Sequence, residues 1–444
     1  MSEDRRGPLS WIEIIRLGLV QTALGAIVVL TTSTLNRVMV VELALPAMLP
    51  GALVGLHYAV QLSRPRWGHG SDMGGARTPW IIGGMAVLAL GGVLAAAATA
   101  LAAAAVWPGV ALAVFAFILI GAGVGASGTS LLALLATDVA PARRAPAASI
   151  TWIMMIMGFA VTAGAAGGFL DPFTLTRLIA VTACVCALAF LVCLAAIWGV
   201  ERRGRSARAP ARTAGQRSFK AAIAEVWSEP KARRFTVFVF IAMLAYSTQD
   251  LILEPFSGLV FNMTPGQSTQ LAGMQHGGVL LGMIAVAILG ARLSGGAFGR
   301  RQHWVVGGCL ASSVALAAIA AASLAGPGWP LAPTVFALGV ANGAFAVAAI
   351  GAMMGLAGAD GPGREGVRVG LWGAAQAIAF ALGGFLGAAA IDLTRALLDD
   401  VAVAFAVVFA AEAVLFLAAA RLALSVEDAE PEPDHAGELA GGTP

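Results

Sequence analysis

The sequence predicts an all-α membrane protein of about twelve transmembrane helices, arranged as two similar six-helix halves. Three observations lead to this fold class. Hydrophobic residues make up 59% of the 444-residue chain and charged residues only 11%, whereas soluble domains carry roughly 25% charged residues. Apolar stretches of about 20 residues, enough to cross a bilayer, recur along almost the whole length. Sequence segments of the first half also recur, in similar form, in the second half.

The apolar stretches define the predicted helices in order. Their prolines and glycines are compatible with membrane helices, because neighbouring helices satisfy the freed backbone groups. The predicted spans are 15–37, 46–63, 79–101, 108–136, 147–170, 174–199, 235–257, 271–291, 303–325, 331–357, 366–391 and 400–424. The predicted units are an N-terminal six-helix bundle (1–199), a basic cytoplasmic linker (200–234), a C-terminal six-helix bundle (235–424) and an acidic disordered tail (425–444).

The basic residues predict that both termini are cytoplasmic, because cytoplasmic loops of membrane proteins are rich in Lys and Arg. With the N-terminus inside, all 27 Lys and Arg residues except Arg37, Arg177 and Arg395 fall on the cytoplasmic side. Ten of them lie in the linker 200–234. This linker either attracts anionic lipid headgroups or is simply a positive-inside hinge. Basic residues scattered among short loops argue against nucleic-acid binding.

Internal repeats indicate how the helices are grouped. GGFLDPFTLTR at 167–177 resembles GGFLGAAAIDLTR at 383–395, and TPWIIGG at 78–84 resembles QHWVVGG at 302–308. Each pair identifies a helix of the first half and its counterpart in the second. Duplicated six-helix halves related by an axis normal to the membrane are the layout of major facilitator transporters.

A glycine-rich loop follows the second predicted span. Gly68, Asp72, Gly75 and Arg77 form the pattern G-x-x-x-D-x-x-G-x-R, which looks like the major facilitator loop between helices 2 and 3. In that superfamily the acid pairs with a basic side chain and a helix N-terminus, and so latches one conformation. The second half has Ser294 where the acid would stand, so the latch is predicted in the first half alone.

Polar residues near membrane depth form the first candidate site. Its predicted members are Asn36, Arg37, Glu42, Gln249, Asp250 and Glu254. Asp250 and Glu254 are four residues apart and share a helical face. An acid at membrane depth costs about 2.5–3.5 kcal/mol unless it is paired or hydrated. The cluster is therefore either a proton-binding group at the outer mouth of a central cavity, or an ion pair holding helices 1 and 7 together.

Two histidines in apolar helices form the second candidate site. His57 and His276, with Gln275 beside the latter, occupy corresponding places in helices 2 and 8. A buried imidazole serves either as a hydrogen bond between helices or as an axial ligand for the metal of a bound tetrapyrrole. Nearby glycines are expected to leave flat space for a macrocycle; they are Gly55, Gly277 and Gly278.

Two long blocks, 31–72 and 245–283, closely resemble the PucC/LhaA group, also called the bacteriochlorophyll delivery family, a branch of the major facilitator superfamily. The resemblance extends over roughly residues 9–424. It implies an assembly factor for light-harvesting antenna complexes of purple bacteria, in the intracytoplasmic photosynthetic part of the inner membrane. The implied partners are antenna polypeptides, the reaction-centre core complex and the lipid bilayer, with bacteriochlorophyll as cargo and His57 and His276 as candidate magnesium ligands.

Two other functions are compatible with the residues. One is a proton-coupled exporter of a hydrophobic solute, with Glu42, Asp250 and Glu254 as proton sites. The other is a structural subunit that packs beside antenna rings. The sequence has no phosphate-binding glycine loop, nucleophile elbow or metal-ligand spacing. The prediction is therefore a protein that is not an enzyme.

Overall fold

The computed structural model describes residues 8–64, 67, 76–201, 227–292, 301–358 and 365–427. In this part of the chain the helices are α1 (Trp11–Glu42), α2 (Met48–Gln61), α3 (Thr78–Ala104), α4 (Val106–Asp138), α5 (Arg144–Leu170), α6 (Leu175–Ile197), α7 (Pro230–Phe261), α8 (Pro265–Arg292), α9 (Arg301–Ala325), α10 (Leu331–Gly358), α11 (Glu365–Leu398) and α12 (Val401–Glu427). The predicted all-α fold is confirmed, and each predicted span overlaps one helix.

Eleven of the helices in the described residues are long and apolar enough to cross a membrane. The exception is α2, which has 14 residues and is therefore about 21 Å long. A hydrocarbon core is about 30 Å thick, so α2 as described is too short to cross it alone.

The order of helix packing is the same in the two halves. In the first half α1 packs against α5 and α6, α3 against α4 and α6, and α2 against α4. The contacts in the second half repeat with each helix number raised by six. The halves meet where α5 packs against α8 and α2 packs against α11. The two interfaces correspond to each other in the repeat, because α5 and α11 are equivalent helices and so are α2 and α8, as expected for a six-plus-six repeat.

Helix α1 extends beyond its predicted end at residue 37. Its segments Leu30–Thr34 and Val38–Glu42 are π-helical, with hydrogen bonds between residues five apart. Arg37 and Glu42 are also five residues apart and pair within this wider winding. The prediction, made from hydropathy, gave Arg37 as the end of this helix. The ion pair instead allows the helix to continue for another turn.

The halves are joined by hydrogen bonds at the end of the bundle where α1 and α7 finish. We call this the outer end, following the predicted orientation. Asp392 of α11 accepts hydrogen bonds of 2.8 and 3.0 Å from backbone N–H groups at the start of α2. Asp171, directly after α5, accepts from the Thr264 hydroxyl at 2.6 Å and the Gly266 N–H at 3.3 Å, before and within α8. Each half therefore caps a helix of the other.

Candidate functional site

The centre of the interface between the halves contains Asp250 of α7 and His276 of α8. The His276 Nδ1–H donates to the Ala272 carbonyl at 2.8 Å, because a carbonyl can only accept. Nε2 of His276 lies 3.8 Å from an Asp250 carboxylate oxygen. The side chain of Asp250 is 31% exposed, although its neighbours Gln249 and Leu251 are buried. Asp250 is therefore partly accessible at the interface between the halves.

Aromatic rings surround this Asp250–His276 pair. The chain has only two tyrosines, Tyr58 of α2 and Tyr246 of α7, and both lie near Asp250. Their ring centroids are 5.3 and 5.9 Å from that of Phe380 of α11. Phe159 of α5 meets the His276 ring edge-on at 5.0 Å. Four helices from both halves thus contribute flat apolar surfaces around one acid and one imidazole.

His57 differs from His276 in its surroundings. Its Nε2 lies 2.9 Å from the Gln61 side-chain nitrogen, and Arg64 donates to the Gln61 side-chain oxygen. Because that oxygen is occupied, the Gln61 amide donates to His57 and engages its lone pair. Nδ1 of His57 is buried without a hydrogen-bond partner among the described residues. His57 therefore acts as a link between residues of α2, and the structure brings it into no contact with His276.

The two predicted glutamines are buried beside these groups. Both amide atoms of Gln249, and the side-chain nitrogen of Gln275, lack a hydrogen-bond partner in the described part of the chain. Gln275 directly precedes His276 on α8, and Gln249 directly precedes Asp250 on α7.

The prediction of flat space beside the histidines is wrong for two of its three glycines. A Cβ on Gly278 would lie 2.4 Å from the Phe336 carbonyl oxygen, and one on Gly55 would lie 3.1 Å from the Ala381 carbonyl oxygen. These glycines permit close packing of α8 on α10 and of α2 on α11. A Cβ on Gly277 would meet no atom within 4 Å, so of these three glycines Gly277 alone has open space around it.

The predicted polar cluster divides into two groups, of which Asn36, Arg37 and Glu42 belong to the outer end. Arg37 donates to Glu42 and to the Met263 carbonyl, both at 2.6 Å. Asn36 donates to the Leu251 carbonyl at 2.5 Å. These bonds connect the end of α1 in the first half to α7 and the α7–α8 turn in the second.

Glu254 also belongs to this outer group, one helical turn beyond Asp250. Its carboxylate accepts hydrogen bonds from Ser33 at 2.5 Å, Ser268 at 3.2 Å and Thr269 at 3.3 Å. The sequence prediction missed these three hydroxyl groups. Their only sequence signal is that Ser33 lies in a hydroxyl-rich run, residues 31–34, and that Ser268 and Thr269 are adjacent.

Arg77, from the predicted latch, lies at the opposite end of the bundle. Its guanidinium donates to the Ala133 carbonyl and the Thr137 hydroxyl of α4, both at 2.6 Å. Glu201, which sequence reasoning also missed, accepts from the backbone N–H groups of Arg77 and Thr78 at 2.6 Å and so caps α3. The other latch residues, Gly68, Asp72 and Gly75, lie outside the described residues.

Two six-helix halves with the same order of helix packing form a fold of the major facilitator type. Among solved structures, the fold is similar to a bacterial homologue of the human lysosomal transporter Spinster, in an inward-facing and unoccupied conformation. The TM-score is 0.64 at 17% sequence identity, and the match covers 93% of this chain and 96% of that one.

A sequence model of the family described as PUCC protein matches residues 34–430, and the chain belongs to that family. It is 56% identical to the Rhodobacter capsulatus protein named bacteriochlorophyll synthase 44.5 kDa chain, over 94% of this chain and 96% of that protein. It is also 30% identical to Protein PucC of the same organism, over 94% of this chain and 92% of that protein.

Proposed function

We propose that this PUCC-family membrane protein is an assembly factor for light-harvesting antenna complexes in the photosynthetic inner membrane. It delivers bacteriochlorophyll, chaperones antenna polypeptides, or does both beside the reaction-centre core. In this proposal the chain binds and hands over its cargo without changing covalent bonds, so it is not an enzyme. The name of its synthase-like relative describes that protein.

The observation that carries the pigment proposal is the orientation of the His276 ring. Its Nδ1–H is held by the Ala272 carbonyl at 2.8 Å, which leaves Nε2 with the lone pair when the ring is neutral. Metal-binding histidines commonly donate their other ring N–H to a carbonyl in this way. Nε2 lies at the interface between the halves, 3.8 Å from an Asp250 carboxylate oxygen, where it is suited to bind the magnesium of a bacteriochlorophyll as an axial ligand.

The surroundings of His276 fit a flat, largely apolar cargo. Phe159, Tyr58, Tyr246 and Phe380 present ring surfaces, and Gly277 leaves open space beside the imidazole. Apolar and aromatic lining with a few convergent polar groups is typical of sites for large organic ligands. The two tyrosine hydroxyl groups and Gln275 are candidate donors to carbonyl groups at the edge of a pigment.

The test is an absorption spectrum of the tagged full-length protein, purified in mild detergent from pigmented membranes. Wild type is compared with His276→Leu, and His57→Leu serves as the matched control. We expect near-stoichiometric bacteriochlorophyll in wild type and in His57→Leu, and a large loss in His276→Leu. A folded but colourless wild-type protein would overturn pigment carriage and leave the chaperone role.

A proton-coupled exporter of a hydrophobic solute is the second candidate function. The observation in its favour is that the partly exposed Asp250 carboxylate lies 3.8 Å from His276 at the interface between the halves, with Glu254 and Glu42 nearer the outer end. Such pairs are candidates for proton sites within membranes. This function requires solute flux into vesicles that depends on a pH gradient and that is lost in Asp250→Asn. Without such flux in wild type, this candidate is rejected.

A further inference from the structure

Glu254 is a buried acid whose hydrogen-bond partners in the described part of the chain are all neutral hydroxyl groups. Glu254 is 1% exposed. Its carboxylate accepts hydrogen bonds from the hydroxyl groups of Ser33, Ser268 and Thr269. A further hydroxyl, that of Thr34, lies 3.2 Å from the Thr269 hydroxyl. The Arg37–Glu42 ion pair and the 3.8 Å contact between His276 and Asp250 do not include Glu254.

The charges around Glu254 do not balance when it is ionised. The nearest cation on α1 is Arg37, which already forms a 2.6 Å ion pair with Glu42. With Arg37 paired to Glu42, an ionised Glu254 therefore leaves one net negative charge in a buried part of the bundle, where its hydrogen-bond partners are neutral hydroxyl groups. An uncompensated buried charge is strongly unfavourable. The site is stabilised by one added positive charge.

The atoms around Glu254 fit a small monovalent cation. All of them are oxygens, from one carboxylate and the hydroxyl groups of Ser33, Ser268 and Thr269. Carboxylate and hydroxyl oxygens are suited to hard cations rather than to soft metals. One carboxylate matches a single positive charge, and the same hydroxyl groups can accept a hydrogen bond from a protonated carboxyl.

The site is complete only when the halves are together at the outer end. Ser33 comes from α1 of the first half, whereas the other groups come from α7 and α8 of the second. Separation of the halves removes the 2.5 Å bond between Ser33 and Glu254 and admits water, which stabilises the ionised acid. A ligand that binds one conformation more tightly shifts the equilibrium toward it.

We propose that Glu254, Ser33, Ser268 and Thr269 form a binding site for one proton or one sodium ion, and that its occupancy stabilises the closed outer end. The site does not depend on pigment delivery and would operate in a protein that transports nothing. Other titratable groups lie on the elements packed around Glu254: Arg37 and Glu42 on α1, Asp250 on α7, His276 on α8, Asp392 on α11 and Glu412 on α12.

The experiment measures the distance across the outer end in full-length protein reconstituted in nanodiscs. Spin labels are placed at Ala44 and Gln267, which are exposed and belong to different halves. The native cysteines are replaced by alanine; they are Cys184, Cys186, Cys193 and Cys309. Pulsed electron resonance then gives the fraction of molecules with the short distance, over a pH series in choline buffer and over a sodium series at high pH.

We expect the short-distance fraction of wild type to rise as the pH falls if the ligand is a proton, and as sodium rises if it is sodium. In Glu254→Gln the fraction stays high and loses this dependence, because the neutral amide replaces the occupied acid. Glu412→Gln, which neutralises another buried acid, is the control that keeps the response. An unresponsive wild type, or a response that survives in Glu254→Gln, overturns the proposal.

Ser33→Ala and Thr269→Val provide a second test if Glu254→Gln does not fold. Each removes one hydroxyl group and leaves the acid in place. The pH or sodium concentration at which the short-distance fraction is half-maximal should therefore shift, whereas in Glu412→Gln it should remain at the wild-type value. Unchanged midpoints in both variants would also overturn the site, because hydroxyl groups that do not contribute to binding are not ligands.

Discussion

The guanidinium of Arg37 and the carboxylate of Glu42 lie 2.6 Å apart, but their side chains are 2% and 34% exposed. The arginine is enclosed between the halves, where it also donates to the Met263 carbonyl, whereas the glutamate reaches the surface of the bundle. A Cβ on Gly258 of α7 would lie 3.1 Å from the guanidinium, so α7 closes over it. Removal of Arg37 and removal of Glu42 are therefore expected to change the stability of the protein by different amounts.

Glu42→Gln is expected to destabilise the protein more than Arg37→Leu. Loss of the glutamate leaves the buried guanidinium without its 2.6 Å ion-pair partner, and breaking a buried pair in this way costs about 3–5 kcal/mol. Loss of the arginine leaves an acid that can reach water. Thermal unfolding in detergent shows which of the two variants is less stable. The double variant should recover part of the stability that is lost in Glu42→Gln. Equal losses in both single variants would contradict this asymmetry.

Asp171 and Asp392 are expected to act as equivalent caps between the halves. Each accepts hydrogen bonds at the start of a helix in the opposite half, and loss of such a cap costs about 0.5–2 kcal/mol. Asp171→Ala and Asp392→Ala should each increase hydrogen exchange at the outer end, in segments 44–48 and 262–267.

Asp400→Ala is the matched control for these caps. Asp400 accepts from the backbone N–H groups of Ala402 and Val403 at 2.8 and 3.1 Å, so it caps α12 within a single half. Its loss should destabilise the start of α12 without changing exchange in segments 44–48 and 262–267. If Asp400→Ala changes that exchange as much as the other variants, the caps do not join the halves.

Helix positions were predictable because the length of an apolar stretch directly reflects the thickness of the membrane. The predicted span 331–357 corresponds to α10 at Leu331–Gly358, and 174–199 to α6 at Leu175–Ile197. The end of α1 was missed because it depends on π-helical winding and on the pairing of Arg37 with Glu42, which hydropathy does not report.

The candidate site was predictable as a set of residues but not as an arrangement. Sequence alone indicates that Glu254 is an unusual acid at membrane depth. Its partner Ser33 is 221 residues away in the chain, and the two meet only because the halves dock. The expected space beside Gly278 fails for a related reason, because packing of α10 on α8 fills it.

His57→Leu is expected to lower stability without lowering pigment content. His57 accepts from Gln61, whose side-chain oxygen is held by Arg64. Leucine leaves the buried Gln61 amide donor without its acceptor, which costs about 1–3 kcal/mol. Thermal unfolding and the absorption spectrum of one purified sample measure both effects, and loss of pigment from a stable His57→Leu protein would contradict the assignment.

Gly339→Ala is expected to disturb the site through the backbone of α8. A Cβ on Gly339 of α10 would lie 2.1 Å from the Gln275 carbonyl oxygen, so α8 must move away near His276. Overpacking of this kind costs about 1–3 kcal/mol. We expect lower thermal stability and, if His276 holds pigment, lower pigment content. Gly307→Ala on α9 is the control, because its Cβ would meet no atom within 4 Å. If the two variants behave alike, close contact between α8 and α10 does not position His276.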